Sequence, residues 1–367
     1  MAEVVPTTWE QAAVGGRGGG LRRWLLASVL VLVGLVLGGV SAVAWETYAF
    51  AQELQGRILP GATVAGVDVG GMTRQEAIEA VRARIAPQLD RRVTLRWDDQ
   101  SWSATPRELG AVNDAEDVVA AAMQASEQVG WRGLVGMRWL DHTLDFRRDV
   151  VIANDEQRVR AFVDAIAGPL NVAPRNATLD YSSGWVTIVP EQAGRVMDTN
   201  AAHVGVLHGL NGGPAEVDVV MHDVPPAVTA AAFDKVLLLR QREHKLYLYQ
   251  NGQITHSWTV AVGTGGYPTP TGRYQVTQKR YMPTWINPDP KGWGAGMPAR
   301  IGPGPGNPLG LRALNWSASG IRFHGTQDVG SLGRDASHGC VRLSNPDAIQ
   351  LYDLVDVGTP IVSINTA

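Results

Sequence analysis

The feature that most constrains this chain is an uncharged apolar run near its N-terminus. Between Arg23 and Glu46 lie 22 residues without a charge, WLLASVLVLVGLVLGGVSAVAW. A helix rises about 1.5 Å per residue, so this run is long enough to cross the ~30 Å hydrocarbon core of a bilayer. Arginines precede it and glutamates follow it, so the positive-inside rule keeps residues 1–23 in the cytoplasm. We therefore predict a transmembrane signal-anchor at 24–45.

A cleavable signal peptide is the alternative interpretation of the same run. Ala42-Val43-Ala44 matches the small-x-small pattern of a cleavage site. However, the run is longer than the usual signal core of roughly 7–15 residues, and no cysteine directly follows it that could carry a lipid. The sequence thus favours an anchor, and in both cases everything after Trp45 functions outside the cytoplasm.

The chain of 367 residues contains one cysteine, Cys340. A single cysteine cannot form an intramolecular disulfide and cannot supply a structural zinc site of several thiolates. The net charge of −3 lacks the basic excess of a nucleic-acid-binding protein, and an apolar content of 45% excludes a wholly disordered chain. Cys340 is therefore either incidental or singular in purpose.

Two stretches of the middle region share a frame of tryptophan, proline, glycine and aspartate. They lie at 102–114 and 185–198, and their proline, glycine and aspartate positions recur 84 residues apart. Each frame includes or follows a run of strand type, and each final aspartate can cap the alanine-rich helical run that follows, at 115–129 or 199–210. Residues 58–225 are therefore predicted to form two α+β repeats without a catalytic cluster.

The character of the chain changes after Pro225 and Pro226, which favour a linker. Residues 245–260 form two alternating runs joined by Asn-Gly, the strongest short-range signal of a β-hairpin. Shorter strands follow, and Asn345 caps a late helix that has proline at its first position. The sequence therefore predicts a mainly-β, β-sandwich-like domain at 234–366.

A long segment at 281–316 separates two of these strands. It is rich in proline and glycine and contains Trp285 and Trp293. It is too long for a simple connection, and such segments are often functional. We therefore expect a flap or cleft wall whose two tryptophans contact substrate.

The residues able to do chemistry cluster around the single cysteine. His324 lies upstream of a Ser-His-Gly-Cys-Val-Arg sequence at 337–342. A thiol attacks as thiolate, and a nearby imidazole or guanidinium lowers its pKa towards a working range. The glycine before Cys340 permits a tight turn that directs backbone N–H groups at a developing oxyanion. Spacing alone leaves open whether His324 or His338 is the base.

Two other interpretations of the cluster compete with a nucleophile. A lone cysteine is commonly an inert, buried, small hydrophobic residue. Two histidines and Cys340 could also bind zinc with an open position, but a fourth ligand and a carboxylate base are not apparent nearby. The local composition favours a nucleophile, and we expect neither a metal nor an organic cofactor.

The stretch from His324-Gly to Ser-His-Gly-Cys-Val-Arg-Leu343 resembles the signature of the L,D-transpeptidases, the YkuD-type catalytic domain that cross-links bacterial peptidoglycan. The Leu-Tyr-Leu-Tyr-x-Asn-Gly hairpin, the Thr-Pro-Thr-Gly sequence at 269–272 and the Pro-Gly-rich 303–310 are similar to this family as well. The resemblance covers about 235–366. The opening of the middle region resembles the peptidoglycan-binding repeats that often precede such domains.

The resemblance implies a role for each residue of the cluster. Cys340 is implied as the nucleophile and His324 as its general base, which the backbone carbonyl of Gly325 orients. The N–H groups of Gly339 and Cys340 are implied as an oxyanion hole that His338 helps to shape.

Substrate contacts are expected from residues around this centre. Arg342 occupies a position where some members have asparagine, and it is expected to contact a substrate or product carboxylate. Ser337, Trp285 and Trp293 are expected to contact substrate too.

The implied function is formation of 3→3 cross-links between peptidoglycan peptide stems through a Cys340 thioester, with carbapenem-type β-lactams as covalent inhibitors. An L,D-carboxypeptidase, in which water is the acceptor, and a non-catalytic cell-wall-binding or anchoring protein remain the alternatives.

Overall fold

The computed structural model describes residues 19–304 and 306–366, and it begins with one long apolar helix. This helix, α1 (Gly19–Glu53), has a mean hydropathy of 2.5 in its most apolar window. Among the described residues it is the one helix long and apolar enough to cross a membrane, as an anchor or a signal sequence does. Most of the predicted cytoplasmic tail, residues 1–18, lies outside the described residues.

The region after α1 alternates helices with short strands. Its helices are α2 (Arg74–Leu89), α3 (Ala115–Glu127), α4 (Trp131–Trp139), α5 (Glu156–Leu170) and α6 (Thr199–Leu210). Its strands are β1 (Ala62–Val64), β2 (Val67–Asp68), β3 (Val93–Trp97), β4 (Gln100–Ala104), β5 (Val112–Asn113), β6 (Phe146–Arg148), β7 (Ile152–Ala153), β8 (Thr178–Asp180), β9 (Thr187–Val189), β10 (Gly194–Met197), β11 (Glu216–Asp218) and β12 (Met221–Val224). The helical runs predicted at 115–129 and 199–210 are α3 and α6.

One predicted helix cap is wrong. Asp114 was expected to cap α3, but its side chain makes no cap hydrogen bond. Its Oδ1 instead accepts from the backbone N–H of Val151 at 2.7 Å, and Asn113 Oδ1 accepts from the first N–H of α3 at 3.3 Å. A hydrogen bond to a residue 37 positions away thus takes the carboxylate away from its neighbouring helix.

The chain divides into two compact units whose limits do not follow the sequence frames. The first unit runs through the described residues to Ile166 and adds Thr199–Val219, and the second contains Ala167–Asp198 and everything from Val220 onwards. In the first unit β11 pairs in parallel with β3, whereas in the second β10 pairs with β12. The second frame therefore lies in the second unit, whereas α6 and β11, which follow it in the sequence, belong to the first.

The C-terminal region is a mostly-β domain. Its strands are β13 (Lys235–Arg240), β14 (Lys245–Gln250), β15 (Gln253–Thr259), β16 (Val262–Gly263), β17 (Gly272–Tyr281), β18 (Trp285–Ile286), β19 (Arg300–Ile301), β20 (Arg312–Trp316), β21 (Arg322–Thr326), β22 (Asp335–Ser337), β23 (Val341–Ser344) and β24 (Pro360–Ile364), with helix α7 (Asn345–Leu354) before the last. Eight of them form one sheet in the order β15-β14-β13-β24-β17-β20-β21-β23. The predicted fold class, an α+β region followed by a mainly-β domain, is confirmed.

Apolar cores cover both faces of the main sheet. Along β13, Leu237 and Leu239 belong to one cluster and Val236 and Leu238 to another, as side chains of successive strand residues point to opposite faces. This explains why β13 is an unbroken apolar run. The first cluster also contains Phe323, and this fixes which residues of β21 point the other way, towards the site.

Candidate active site

Two parallel strands at the edge of the main sheet carry the site. Strands β21 and β23 pair in parallel, with Phe323 beside Val341 and His324 beside Arg342. Phe323 and Val341 are fully buried in the core. Because side chains alternate along a strand, His324 and Arg342 point to the opposite face, next to each other.

Cys340 lies directly before β23, in the turn that follows β22. One register step back from the Phe323–Val341 pair, it lies next to Arg322. Its thiol donates a hydrogen bond to the carbonyl oxygen of Gly320, with Sγ at 3.4 Å. In residues 19–304 and 306–366 we find no hydrogen bond between Sγ and the His324 ring. The thiol is therefore turned towards Gly320 in this structure.

His324 is held as a neutral imidazole with a defined tautomer. Its Nδ1 lies 2.8 Å from the carbonyl oxygen of Gly325. A carbonyl can only accept, so Nδ1 carries the hydrogen and Nε2 keeps a free lone pair. Burial lowers the His324 pKa to about 4; the hydrogen bond to Gly325 opposes this effect, and the charges of Arg342 and Arg322 add to it. At neutral pH the ring can therefore accept a proton at Nε2.

The carbonyl that orients His324 belongs to a position where only glycine fits. A Cβ on Gly325 would lie 2.2 Å from Oδ1 of Asn345. That oxygen accepts from the backbone N–H of Leu311 at 2.9 Å, so it is not free to move away. Asn345, predicted as the cap of α7, thus also packs against the residue that orients the base; the N-cap is in fact Ser344, which accepts from Asp347 N.

The Cys340 thiol is un-ionised in this environment, contrary to the lowered pKa expected from its neighbours. Burial raises the pKa of Cys340 and outweighs the opposing effects of Arg322 and Arg342. Burial disfavours the charged forms of thiol and imidazole alike. The resting pair is therefore thiol and imidazole, and not thiolate and imidazolium.

Ser337 fastens the turn that presents the thiol. Its side chain is buried, its hydroxyl donates to the backbone oxygen of Cys340, and it accepts from the N–H of Gly339 at 3.2 Å. Gly339 has φ of +100°, a conformation that L side chains rarely adopt. The Gly339 N–H, implied above as half of an oxyanion hole, is thus already bonded, and Ser337 presents no free hydroxyl to a substrate.

Sequence reasoning missed Thr269, which fixes the peptide before the thiol. Its buried Oγ1 donates to the carbonyl of Gly339 at 2.9 Å and accepts from the N–H of Gly263 at 2.8 Å. The Gly339 carbonyl and the Cys340 N–H belong to one planar peptide and point in opposite directions. Thr269 therefore sets the direction of the Cys340 N–H. The only signal in the sequence was the Thr-Pro-Thr-Gly motif, which carried no assigned role.

Arg322 is the second residue that sequence reasoning missed. Its Nη2 lies 3.3 Å from the same Gly320 carbonyl that accepts from Cys340, and its Nε is buried without a hydrogen-bond partner in the described part of the chain. Its charge and its hydrogen bonds lower the Cys340 pKa, against the effect of burial. Strand alternation relative to His324 could have identified it.

His338 lies in an aromatic stack and not in the buried pair. Its ring stacks on Trp293 with centroids 4.1 Å apart, and Tyr267 meets it edge-on at 4.8 Å. Trp293 of the flap thus packs against His338. Trp285 is 5% exposed and pairs with Ile301 inside the flap, so it presents no free ring to a substrate.

Arg342 also has a partner. Its Nη1 lies 3.7 Å from Oδ2 of Asp328, and its side chain is half-buried. In the described residues no group of three or more histidine, cysteine, aspartate or glutamate side chains converges as a metal site would require. The arrangement around Cys340 is that of a thiol and a base on one face of a sheet, suited to acyl transfer.

A mostly-β domain with a thiol and an imidazole on one face is the arrangement of an acyl-transfer site, and two family models match parts of this chain. Residues 234–362 match the model described as "L,D-transpeptidase catalytic domain", YkuD. Residues 102–218 match the model described as "Putative peptidoglycan binding domain". The chain therefore carries an L,D-transpeptidase catalytic domain behind a peptidoglycan-binding-type region, and the resemblance seen in the sequence is confirmed.

Curated relatives agree with the family models over the C-terminal third of the chain. "Probable L,D-transpeptidase YbiS" of Escherichia coli (strain K12) is 33% identical over 136 residues, 35% of this chain and 44% of that protein. "Putative L,D-transpeptidase YqjB" of Bacillus subtilis (strain 168) is 27% identical over 35% of this chain and 70% of that protein. The chain thus spans less than half the length of the first of these relatives.

A solved structure shows the same family name. The L,D-transpeptidase LdtMt1 in complex with imipenem is 16% identical, covers 55% of this chain and 85% of its own, and gives a TM-score of 0.32.

Proposed function

We propose that this protein is a membrane-anchored peptidoglycan L,D-transpeptidase that forms 3→3 cross-links through a Cys340 thioester. One observation carries the proposal. His324 donates Nδ1–H to Gly325 and keeps Nε2 free, on the face of the sheet that Cys340 shares, inside the segment that matches the transpeptidase model. A neutral, oriented imidazole beside a thiol is what general-base activation of a cysteine requires.

Acylation begins with a rotation of the thiol. Because Sγ donates to Gly320 in the resting state, substrate binding turns it towards Nε2 of His324, which takes its proton. The thiolate attacks the carbonyl of the diamino acid at the third position of a tetrapeptide stem. The resulting oxyanion faces the Cys340 N–H, whose direction Thr269 sets through the Gly339 carbonyl. The C–N bond then breaks, and His324 returns the proton to the leaving D-alanine amine.

Transfer to the acceptor repeats these proton movements in reverse. His324 Nε2 takes a proton from the side-chain amine of a second stem, and the amine nitrogen attacks the thioester carbonyl. The C–S bond breaks as the new amide forms, and Sγ recovers the proton from His324. No redox step is involved. One histidine serves both halves of the reaction because it returns in each half the proton that it took.

Arg322 supplies positive charge beside the sulfur. Burial alone makes ionisation of Cys340 costly, and Arg322 is the first of the two arginines that offset this cost. Its Nε is buried and has no hydrogen-bond partner in the described part of the chain. We assign Arg322 to stabilisation of the thiolate as it forms.

The other parts of the chain have proposed roles as well. The apolar segment 24–45 anchors the protein, a role that the length and apolar composition of α1 support. Residues 58–225 bind peptidoglycan, a role that the match at 102–218 supports. A carbapenem, a strained acyl donor, acylates Cys340 and forms a stable adduct.

The test is to offer tetrapeptide stems to the full chain and to Cys340→Ala. The wild-type protein is expected to release D-alanine and yield a dimer joined between third-position residues, and Cys340→Ala to yield neither. Cross-linked dimer from Cys340→Ala would overturn the nucleophile assignment. Release of D-alanine without dimer from the wild type would instead make water the acceptor.

A further inference from the structure

Helix α4 exposes large aromatic and apolar side chains to solvent. Trp131 is 48% exposed, Trp139 47% and the following Leu140 64%. Folded proteins rarely leave such a group uncovered unless another surface meets it. The contacts of α4 show which surface this is.

The C-terminal end of α4 is fixed to α1 near the point where the apolar run ends. Trp139 Nε1 donates to Thr47 Oγ1 at 3.3 Å, and Arg138 forms an ion pair with Glu46 at 3.1 Å. Trp45 is 70% exposed and its ring lies 6.3 Å from that of Tyr48. Tryptophan and tyrosine collect at the boundary between a bilayer and water, so this level of α1 has the composition of that boundary.

The N-terminal end of α4 reaches further along α1. Trp131 lines a shallow groove with Val36, Val40, Val43 and neighbouring small residues. About 20 helical residues fill the hydrocarbon core, so a bilayer that starts at the arginines before Trp24 ends close to Val43. Trp131 therefore lies level with α1 residues inside the bilayer and not beyond its edge.

We propose that α4 is an interfacial helix whose N-terminal end enters the outer leaflet of the membrane, with an anionic phospholipid bilayer as its partner. Its tryptophans and Leu140 enter the boundary between headgroups and acyl chains, and the exposed Arg132 meets lipid phosphate. The groove that Trp131 lines is formed by α1 side chains of the apolar span, which face lipid. The inference rests on the proposed anchor role of α1. An interfacial α4 holds the first unit against the membrane.

The test places a fluorescent probe on α4 in the full chain. In a Cys340→Ala background, Trp131→Cys is labelled with NBD and reconstituted in vesicles of phosphatidylcholine and phosphatidylglycerol that contain nitroxide-labelled lipid. Val204→Cys on α6, 66% exposed in the same unit, is the matched control. We expect lipid nitroxides to reduce the Trp131 probe's emission about twofold or more relative to the control. Equal quenching of the two probes by lipid nitroxides would overturn the proposal.

A second measurement avoids a cysteine at position 131. Brominated lipids quench nearby tryptophans, and Trp131→Phe/Trp139→Phe is expected to lose a quenchable fraction that the wild type shows. Unchanged quenching would contradict an interfacial α4. Carbonate extraction of the same vesicles separates the two ideas. A chain that is extracted loses the anchor and the inference together, whereas a retained chain that brominated lipids quench as strongly in Trp131→Phe/Trp139→Phe as in the wild type overturns only the inference.

Discussion

The two histidines near Cys340 have opposite environments. His324 is buried on β21, with one ring nitrogen bound to Gly325 and its pKa lowered to about 4. His338 is exposed in the turn before the thiol, where it stacks on Trp293 and meets Tyr267 edge-on. Distance along the chain favours His338 as the base, yet only His324 combines a fixed tautomer with a face shared with the sulfur. Local packing, and not proximity in sequence, therefore separates their roles.

The largest effect on the cross-linking rate is expected from substitution of His324, with His338 as its comparison. His324→Gln is expected to lower kcat/KM for tetrapeptide cross-linking by about 10² to 10⁴, the usual contribution of a general base. His338→Gln, the matched control, is expected to stay within about fivefold, as it removes a stacking contact and leaves the proposed base, His324, in place. The steady-state rates of dimer formation measure both. The reverse order of losses would exchange the two roles.

The pH dependence of stability tests whether His324 is buried as a neutral ring. The pKa of His324 is about 4 in the folded protein, whereas a histidine of the unfolded chain takes a proton near pH 6.5. The free energy of unfolding therefore decreases by about 3 kcal/mol as the pH falls from about 6.5 to 4. Denaturant unfolding of wild type and His324→Gln across this range measures the slope. We expect the variant to lose less stability on acidification than the wild type. Parallel curves would show that His324 is not buried as a neutral ring.

Substitution of Thr269 tests whether catalysis depends on the direction of the Cys340 N–H. Thr269→Val keeps the shape but removes the hydroxyl that bonds to Gly339, and is expected to lower kcat by about 10- to 100-fold with KM little changed. Thr269→Ser restores the hydroxyl and should recover most of the rate. If Thr269→Ser is as slow as Thr269→Val, the hydroxyl is not what positions the peptide.

The smallest effect concerns Arg322. Arg322→Gln removes a charge that lowers the Cys340 pKa, so it is expected to raise that pKa further and to slow alkylation by iodoacetamide at pH 8 by about tenfold. Arg334→Gln removes the same charge from an exposed position and serves as the control. The pH profile of alkylation measures the shift. Coinciding profiles of the two variants would remove Arg322 from the site.

Sequence patterns predicted the strand that carries His324 and the tight turn before Cys340, because alternation and glycine placement are local. They could not predict that Gly325 packs on Asn345 or that Thr269 binds Gly339, because each contact joins residues distant in the chain. The direction of the Cys340 pKa was missed for the same reason, since burial is a property of the assembled domain.

The middle region also shows that sequence patterns predict elements better than they predict the pairing of those elements. The repeated frame predicted α3 and α6 where they occur. It did not predict that β11 pairs with β3, in the other compact unit from β10. A repeat in the sequence indicates which elements form, whereas pairing depends on contacts that the repeat does not encode.

In the proposed mechanism, Cys340 carries the acyl group between the two half-reactions. The most direct test is the intact mass of the protein quenched during turnover with a tetrapeptide stem, followed by peptide mapping. We predict an added mass equal to the stem without its D-alanine, located on Cys340 and absent from Cys340→Ser. Steady cross-linking by a protein whose mass stays unshifted at Cys340, or an acyl group mapped to another residue, would contradict it.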